Sequence, residues 1–207
     1  SSKLDWAEKW TDFDKLTHGS SIVHSKNDIA VVIPCWNHAR ELDLTLQALS
    51  QQTLQPAEVL VVDDASEDDP RSVVMKYQDR LPIKYLRLEK NSGAPAARNK
   101  GAELTKSEFI LFLDAEVVLR PQALWLMREA LEKEPDAALA YGDFYWSYKL
   151  FKARDWDVSA LRRINYIHTT ALLRRNQLIP FDESLKKFQD WDLWLSMAGR
   201  GSRGVYI

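Results

Sequence analysis

From Asp28 onward, short apolar runs alternate with segments of helical periodicity, and this alternation limits the fold more than any other feature of the 207-residue chain. The predicted strands are IAVVIP (29–34), EVLVV (58–62), IKYLRL (83–88), 108–113, AALAYGDFYW (137–146) and 166–173. The predicted helices cover 38–51, a segment that begins at Pro70, 94–105, 121–133 and 190–199. This order predicts an α/β fold with a mostly parallel central sheet and helices on both faces.

Polar residues follow each of the first four predicted strands, and they are the candidates for function. WNH follows the first strand, DDAS the second, NSGAPAARN the third and DAE the fourth. A sheet of this class binds ligands beyond the carboxyl ends of its strands, where the strand order reverses. The sequence therefore predicts one polar rim with four carboxylates and two basic side chains: Asp63, Asp64, Asp114, Glu116, Arg98 and His38.

Asp114 and Glu116 lie one residue apart, directly after the apolar strand at 108–113. In an extended chain, residues i and i+2 point to the same side, about 6.5–7 Å apart. Two carboxylates aimed at one spot repel each other unless a positive group lies between them. A Mg²⁺ or Mn²⁺ ion, which prefers oxygen ligands, would supply that charge. The alternative is a turn in which Asp114 bonds to local backbone amides.

The second and third loops carry further polar candidates. Adjacent strand residues point in opposite directions, so Asp63 is expected to fix the turn and Asp64 to contact a ligand. Asn91 lies in the third loop, where Gly93 permits backbone angles closed to other residues. Arg98 is suited to pair with a phosphate or with the Asp64 carboxylate, and a solvated surface arginine is the alternative.

The stretch PCWNH after the first strand offers a flat ring and an amide. Trp36 suits stacking on a base, although a lone tryptophan at this place is more often part of a core. Asn37 can donate and accept hydrogen bonds. His38 suits a helix start. The remaining histidines show no metal-ligand spacing and are interpreted as structural or surface residues: His18, His24 and His168.

The segment FQDWDLW places Asp190 and Asp192 in the first turn of the predicted helix at 190–199. A carboxylate there is either a cap that stabilises the helix by about 0.5–2 kcal/mol, or a general base at the mouth of a pocket. The sequence GRGSRG (199–204) has the letters of a dinucleotide-binding motif. It follows a helix instead of a strand, so it is interpreted as a turn.

Composition and charge limit the classes of partner. The formal net charge of −2 argues against a nucleic-acid binder that neutralises phosphates. The single cysteine, Cys35, allows no disulfide within the chain and fits a reducing compartment. No apolar stretch approaches the ~18 residues that cross a bilayer, so no transmembrane segment is predicted. We therefore expect a cytoplasmic location, with the cytoplasmic face of a membrane as the alternative.

The length fits one domain, and we assign residues 29–207 to it. Residues 1–28 are predicted to form an N-terminal helix, with Trp6, Trp10 and Phe13 at helical spacing, followed by a polar linker. The final residues, GVYI, are typical of the start of a strand, which is consistent with a fragment of a longer protein.

Five motifs follow one another in the order VVIPCWN, VVDDAS, NSGAPAARNKG, FLDAE and FQDWDLW. Their order and intervals resemble the inverting family 2 glycosyltransferases of the GT-A fold, from residue 29 to the end. The resemblance implies a nucleotide-sugar donor, commonly a UDP-sugar, a Mn²⁺ or Mg²⁺ ion and a role in glycan or polysaccharide synthesis. It leaves the acceptor open among carbohydrate, lipid and protein.

The resemblance also implies residue roles. Asp190 matches the catalytic base that takes a proton from the acceptor hydroxyl. Glu116, with Asp114, would ligate the cation that bridges the donor diphosphate. The implied donor-binding residues are Pro34, Trp36, Asn37, Asp64, Asn91, Arg98 and Asp114.

Two departures from the family pattern bear on activity. Glu116 stands where the family usually has aspartate, one methylene shorter. Ala65 stands where glycine is common, so this turn is expected to avoid the angles that only glycine adopts.

Two rival functions remain at this stage. One is a module that keeps the nucleotide pocket and has lost turnover. The other is a sugar nucleotidyltransferase, which ranks lower because PCWNHARE lacks the glycine-rich basic loop expected after its first strand.

Overall fold

The computed structural model describes residues 27–207, and the predicted N-terminal helix lies outside the described residues. The strands are β1 (Ile29–Cys35), β2 (Glu58–Asp63), β3 (Ile83–Arg87), β4 (Phe109–Phe112), β5 (Ala137–Tyr141), β6 (Phe144–Trp146), β7 (Lys149–Phe151), β8 (Leu172–Arg174) and β9 (Arg203–Tyr206). The helices are α1 (Ala39–Ser50), α2 (Pro70–Met75), α3 (Ala94–Leu104), α4 (Ala123–Lys133), α5 (Val158–Leu161) and α6 (Gln189–Gly199).

Seven strands form one sheet in the order β3-β2-β1-β4-β8-β5-β9, and β6 pairs with β7 in a separate hairpin. Strands β1 to β4 are parallel to one another. Strand β8 runs antiparallel to both of its neighbours, while β9 is parallel to β5. The chain moves outward from β1 to β3 and then returns to β4 on the other side of β1. The strand order therefore reverses between β1 and β4, where this class of sheet binds ligands.

Alternate residues of the central strands supply two separate apolar cores. Val31 and Ile33 belong to the core that contains α1, α2 and α4. Ala30 and Val32 belong to the core that contains α3, α5 and α6. Burial on both faces explains the continuous apolar runs of these strands, and it confirms the predicted α/β fold with helices on both sides of a mostly parallel sheet.

Helix α3 packs closely on β1 because Gly101 has no side chain. A Cβ atom at this position would lie 2.2 Å from Cγ1 of Val32, far inside van der Waals contact. The close approach buries the same face of the helix one turn earlier, where Arg98 is only 5% exposed. The helix is thus held where its arginine reaches the ligand-binding edge of the sheet.

Three predicted strands have different limits in the structure. The strand predicted at 108–113 is Phe109–Phe112, and a turn follows in which the Val117 amide donates to the Asp114 carbonyl (3.0 Å). The strand predicted at 137–146 breaks after Tyr141, where β5 ends and the hairpin begins. The strand predicted at 166–173 is reduced to β8, and residues 164–171 form a loop. The segment GRGSRG forms the turn from α6 into β9, as predicted.

Candidate active site

Three elements meet at the crevice where the strand order reverses. Strand β1 leads into Trp36 and Asn37, and β4 leads into Asp114. The start of α6 joins the same edge through Arg98, whose Nη1 donates to Oε1 of Gln189 (3.0 Å). The candidate site therefore combines two strand ends with a helix that lies more than 70 residues later in the sequence.

Arg98 is the positive group that faces the strand-end acid in this structure. Its Nη2 donates to Oδ1 of Asp114 at 2.6 Å. The guanidinium also lies over the ring of Phe181, 5.3 Å from the centroid. Its Nε has no hydrogen-bond partner among the described residues although it is buried. Arg98 therefore pairs with Asp114, and the predicted alternative of a pair with Asp64 is wrong.

The acidic pair does not have the extended geometry that was predicted. Asp114 and Glu116 belong to the turn after β4, because pairing of this strand with β1 stops at Phe112. Asp114 is half-buried and Glu116 is exposed. The turn named as the alternative is thus observed, but it is closed by the Asp114 carbonyl, while the Asp114 side chain accepts from Arg98 instead of from a local amide.

The turn offers two carboxylates to a divalent cation. Among residues 27–207, no three His, Cys, Asp or Glu side chains are grouped so as to hold a metal ion. Mg²⁺ is commonly bound by one or two carboxylates together with substrate phosphates and water, without a full cage of protein ligands. Asp114 and Glu116 offer oxygen donors of this type, so these two residues would hold a cation that also binds a diphosphate.

Asp190 lies in the first turn of α6 and is held by polar neighbours. Its Oδ1 accepts from the Trp191 amide (2.8 Å), and its Oδ2 accepts from Nδ2 of Asn165 (3.1 Å) and from Oγ1 of Thr169 (3.4 Å). The N-cap residue is Phe188, which makes no side-chain cap bond and has a φ of 60°. Left-handed backbone is costly for a bulky residue and is often found near functional sites.

Two tryptophans fix α6 against the loop that orients Asp190. Nε1 of Trp191 donates to the Leu161 carbonyl (2.6 Å), and Nε1 of Trp194 donates to the Ile167 carbonyl (3.1 Å). Trp194 is fully buried. A buried indole needs a partner for its N–H. Here one partner ends α5, and the other lies in the loop that carries Asn165 and Thr169. The carboxylate and the side chains that bind it are thus held in one unit.

His168 lies in this loop and faces the charges of the crevice. Its ring is 4.6 Å from the ring of Phe144, at an interplanar angle of 38°. Burial lowers the pKa of His168 below its ordinary value, and the carboxylates of Asp114 and Asp190 offset this only in part. The prediction that His168 is a structural or surface residue agrees with this packing, and the electrostatic influence of the two acids on the ring adds that it lies near the candidate site.

Asp63, at the end of β2, is completely buried, and both of its carboxylate oxygens accept hydrogen bonds from nearby residues. It accepts from the Ser66 amide (2.8 Å), from the Tyr85 hydroxyl and from Nη1 of Arg87 (2.5 Å). Burial disfavours the charged carboxyl, but these hydrogen bonds outweigh it and hold the pKa of Asp63 below its ordinary value. Burial and the hydrogen bond to Asp63 raise the pKa of Tyr85 to about 12. The expected role of Asp63 in fixing the turn agrees with these contacts.

Asp64 is also buried, and both of its oxygens accept backbone amides of the third loop. The Ser92 and Gly93 amides donate to Oδ1 and Oδ2, each at 2.7 Å. Gly93 has a φ of 91°, as its glycine-only role requires. The base of a nucleotide could hydrogen-bond to Asp64 only at carboxylate lone pairs that these two amides leave free.

Asn37 and Ala65 adopt left-handed backbone in the turns beside Asp64. Asn37 has a φ of 56°, and its Oδ1 accepts from the Glu67 amide (2.7 Å). Ala65 has a φ of 61°, so the expectation that this turn avoids such angles is wrong. The tight turn after β2 retains the left-handed conformation, and alanine adopts it at a cost of about 1–2 kcal/mol.

The remaining predicted donor residues differ in their exposure. Trp36 is 52% exposed, so it has a face free for stacking and is not part of the core. Pro34 is buried within β1, where it pairs with Val62. Asn91 is exposed in the loop after β3. Burial raises the pKa of Cys35 to about 12, which leaves this thiol protonated and unreactive near neutral pH.

Three further residues that contact Asp190 or Arg98 were not singled out from the sequence: Asn165, Thr169 and Gln189. Asn165 and Gln189 each lie one residue before a predicted element, and Thr169 lies within the strand predicted at 166–173. No motif or spacing marks them, because their contacts join segments that are distant in the sequence. The only available signal was the proximity of Gln189 to Asp190 in the sequence.

The reversed strand order and the acidic edge define the GT-A type of nucleotide-sugar transferase fold, and solved structures support this. The chain has a TM-score of 0.76 to Staphylococcus aureus TarS 1–349 in complex with UDP-GlcNAc, at 23% identity, covering 87% of this chain and 56% of that one. It has a TM-score of 0.69 to the Pyrobaculum calidifontis mannosyltransferase PcManGT in complex with GDP-Man and Mn²⁺, at 18% identity, covering 98% of this chain and 61% of that one. The predicted GT-A fold is confirmed.

The chain belongs to glycosyltransferase family 2, because the family model described as Glycosyl transferase family 2 matches residues 30–184. It is also 37% identical to the chondroitin synthase of Pasteurella multocida over 120 residues, which cover 56% of this chain and 12% of that protein. The predicted family is thus confirmed, while this chain spans a small part of that relative. No helix within residues 27–207 combines the length and apolar character that crossing a bilayer requires.

Proposed function

We propose that this domain transfers a sugar from a UDP-sugar to an acceptor hydroxyl, with inversion at the anomeric carbon and with a divalent cation. The observation that carries the proposal is the pair of carboxylates on two walls of one crevice, Asp190 on α6 and Asp114 after β4. Arg98 bridges the two walls through Gln189 and Asp114. Such a crevice has an acid on each side of the space in which a sugar would lie.

Asp190 is suited to the role of general base. A hydroxyl is a poor nucleophile near neutral pH, so a positioned carboxylate that takes its proton assists attack. The hydrogen bonds from Asn165 and Thr169 orient Oδ2, and the Trp191 amide holds Oδ1. In an inverting transfer this base lies on the face of the sugar opposite the leaving diphosphate.

Asp114 and Glu116 are suited to the diphosphate side. A cation bound there supplies positive charge to the leaving group without proton transfer. Arg98 adds a fixed positive charge next to Asp114, and its preorganised position stabilises developing negative charge. The exposed face of Trp36 offers a stacking surface for the base of the nucleotide.

The relatives support a nucleotide-sugar donor. One structural neighbour is described with UDP-GlcNAc and another with GDP-Man and Mn²⁺. We choose uridine because the family resemblance commonly implies a UDP-sugar and one of these neighbours is described with UDP-GlcNAc. The acceptor stays open among carbohydrate, lipid and protein, and the proposed location is the cytoplasm or the cytoplasmic face of a membrane.

A binding module without turnover is the second candidate. It is favoured by the Arg98–Asp114 ion pair, which neutralises the strand-end acid without a metal, and by glutamate at position 116. Both functions predict that UDP raises the melting temperature of the protein, because a ligand that binds only the folded state stabilises it.

The discriminating experiment measures UDP release from UDP-GlcNAc and UDP-glucose, each with and without Mn²⁺. A transferase releases UDP in the presence of Mn²⁺, while a module binds the donor without turnover. A melting temperature that no nucleotide or nucleotide-sugar raises would contradict both candidates.

A further inference from the structure

We propose that His168 donates a hydrogen bond from Nε2 to the terminal phosphate of the bound nucleoside diphosphate, a role that rests on the nucleotide-sugar function proposed above. The residue then acts on the leaving group through an N–H donor and does not ligate the metal. The argument uses the position of the ring, its tautomer and the charges around it.

The ring is packed in the loop whose next residue contacts Asp190. Phe144, at the start of the β6–β7 hairpin, packs against it with 4.6 Å between ring centroids. The next residue, Thr169, contacts Oδ2 of Asp190. The charged groups that act on the ring are Asp114, Asp190, Arg98 and Glu116, which are the charged residues of the candidate site.

The hydrogen bonds of Thr170 determine the tautomer. The Thr170 amide donates to Nδ1 at 3.2 Å, and Oγ1 of Thr170 lies 3.0 Å from the same nitrogen. A backbone N–H can only donate, so Nδ1 accepts with its lone pair. The proton of the uncharged ring is therefore on Nε2. This nitrogen has no lone pair free for a metal and presents a donor instead.

The ligand for this donor is an anion between the two walls. Both candidate acids already accept hydrogen bonds from the protein. Oδ1 of Asp114 accepts from Arg98, Oδ1 of Asp190 accepts from the Trp191 amide, and Oδ2 of Asp190 accepts from Asn165 and Thr169. A diphosphate held beside Asp114 brings several acceptor oxygens within reach of the same wall. An uncharged N–H donor stabilises such an oxyanion without repelling a cation or Arg98.

Two variants of similar size separate the loss of the hydrogen-bond donor from a change in side-chain shape. In His168→Gln the side-chain amide nitrogen can replace Nε2, while in His168→Asn the shorter side chain cannot reach that position. Titration calorimetry in Mn²⁺ would compare UDP with UMP, which lacks the terminal phosphate. We expect His168→Asn to weaken UDP binding about 10- to 100-fold, the range for a hydrogen bond to a charged group. UMP binding should stay unchanged, and His168→Gln should stay within a few-fold of the wild type.

Several results would overturn the assignment. Equal UDP affinity in the wild type and in His168→Asn would show that His168 makes no hydrogen bond to the bound nucleotide. An equal loss for UMP and UDP would mean that the effect does not come from the terminal phosphate. If Mn²⁺ no longer improved UDP binding in His168→Asn, the residue would be a metal ligand. A wild-type protein that binds neither nucleotide would contradict the proposed function itself, and this inference with it.

Nitrogen-15 NMR of the wild-type protein gives a readout that does not depend on a folded variant. The spectrum should show the imidazole of His168 protonated at Nε2, and UDP, but not UMP, should shift that resonance. Protonation at Nδ1 alone, or equal shifts with both nucleotides, would contradict the proposal.

Discussion

Two pairs of acids lie at the same edge of this sheet and differ in what surrounds them. Asp63 and Asp64, after β2, are buried, and their oxygens accept hydrogen bonds from loop amides and nearby side chains. Asp114 and Asp190, after β4 and at the start of α6, are only half-buried. Position at the ligand-binding edge is therefore not enough to identify a catalytic acid. What distinguishes the second pair is exposure, because both of its carboxylates are partly accessible from solvent and therefore to a ligand.

The largest effect should come from Asp190→Asn. We expect transfer to fall about 10³-fold, within the range for a general base, because the amide cannot take the acceptor proton. UDP affinity should stay within about twofold. UDP release and calorimetry measure the two quantities, and Asp192→Asn is the control because it removes a charge from the same helical turn. A large loss of UDP affinity in Asp190→Asn would indicate that Asp190 has a structural role. Asp190 would then resemble Asp63 and Asp64 instead of differing from them.

Asp63→Asn should affect stability more than function. The amide replaces one acceptor oxygen by a donor, so a buried partner among Ser66, Tyr85 and Arg87 loses its acceptor. The free energy of unfolding should fall by about 2 kcal/mol, as expected for an unsatisfied buried group. Urea denaturation measures it, with exposed Asp79→Asn as the control. A change no larger than that of the control would show that the bonds of Asp63 contribute little.

Glu116→Ala should weaken UDP binding about 10-fold in Mn²⁺, which corresponds to ~1.4 kcal/mol. Without metal the affinity should be unchanged, because the side chain acts through the cation. Glu116→Asp restores the more usual family residue and should keep the metal dependence. Equal binding of UDP by the wild type with and without Mn²⁺ would exclude the proposed metal site.

The smallest effect concerns acid stability. Because the pKa of Asp63 is lower in the folded protein than its ordinary value of 3.8, its charged form stabilises the fold above that value. This contribution is lost as the pH falls from about 4 through the lower native pKa. The free energy of unfolding should therefore decrease over this range, and the slope should be shallower in Asp63→Asn. An identical slope in the variant would assign the acid sensitivity to other carboxyls.

The sequence was sufficient for the parallel part of the sheet and for the family, because β1, β2 and β4 are continuous apolar runs and the loops after the first four strands carry recognisable motifs. It was insufficient for the geometry of Asp114 and Glu116. Their spacing has a simple meaning only in an extended chain, and the strand ends at Phe112. It also could not identify His168 or Asn165. These residues join the site through a loop that precedes a strand of three residues, too short to leave a periodic pattern.

The two indole hydrogen bonds of Trp191 and Trp194 have a consequence for the orientation of the candidate base. They tie the first half of α6 to the end of α5 and to the loop that carries Asn165 and Thr169, so the orientation of Asp190 depends on contacts made by its own helix. The strand-end acid is joined to this assembly through the guanidinium of Arg98. A substitution that removes either indole N–H would therefore be expected to disturb the angle at which Asp190 meets an acceptor more than the position of Asp114.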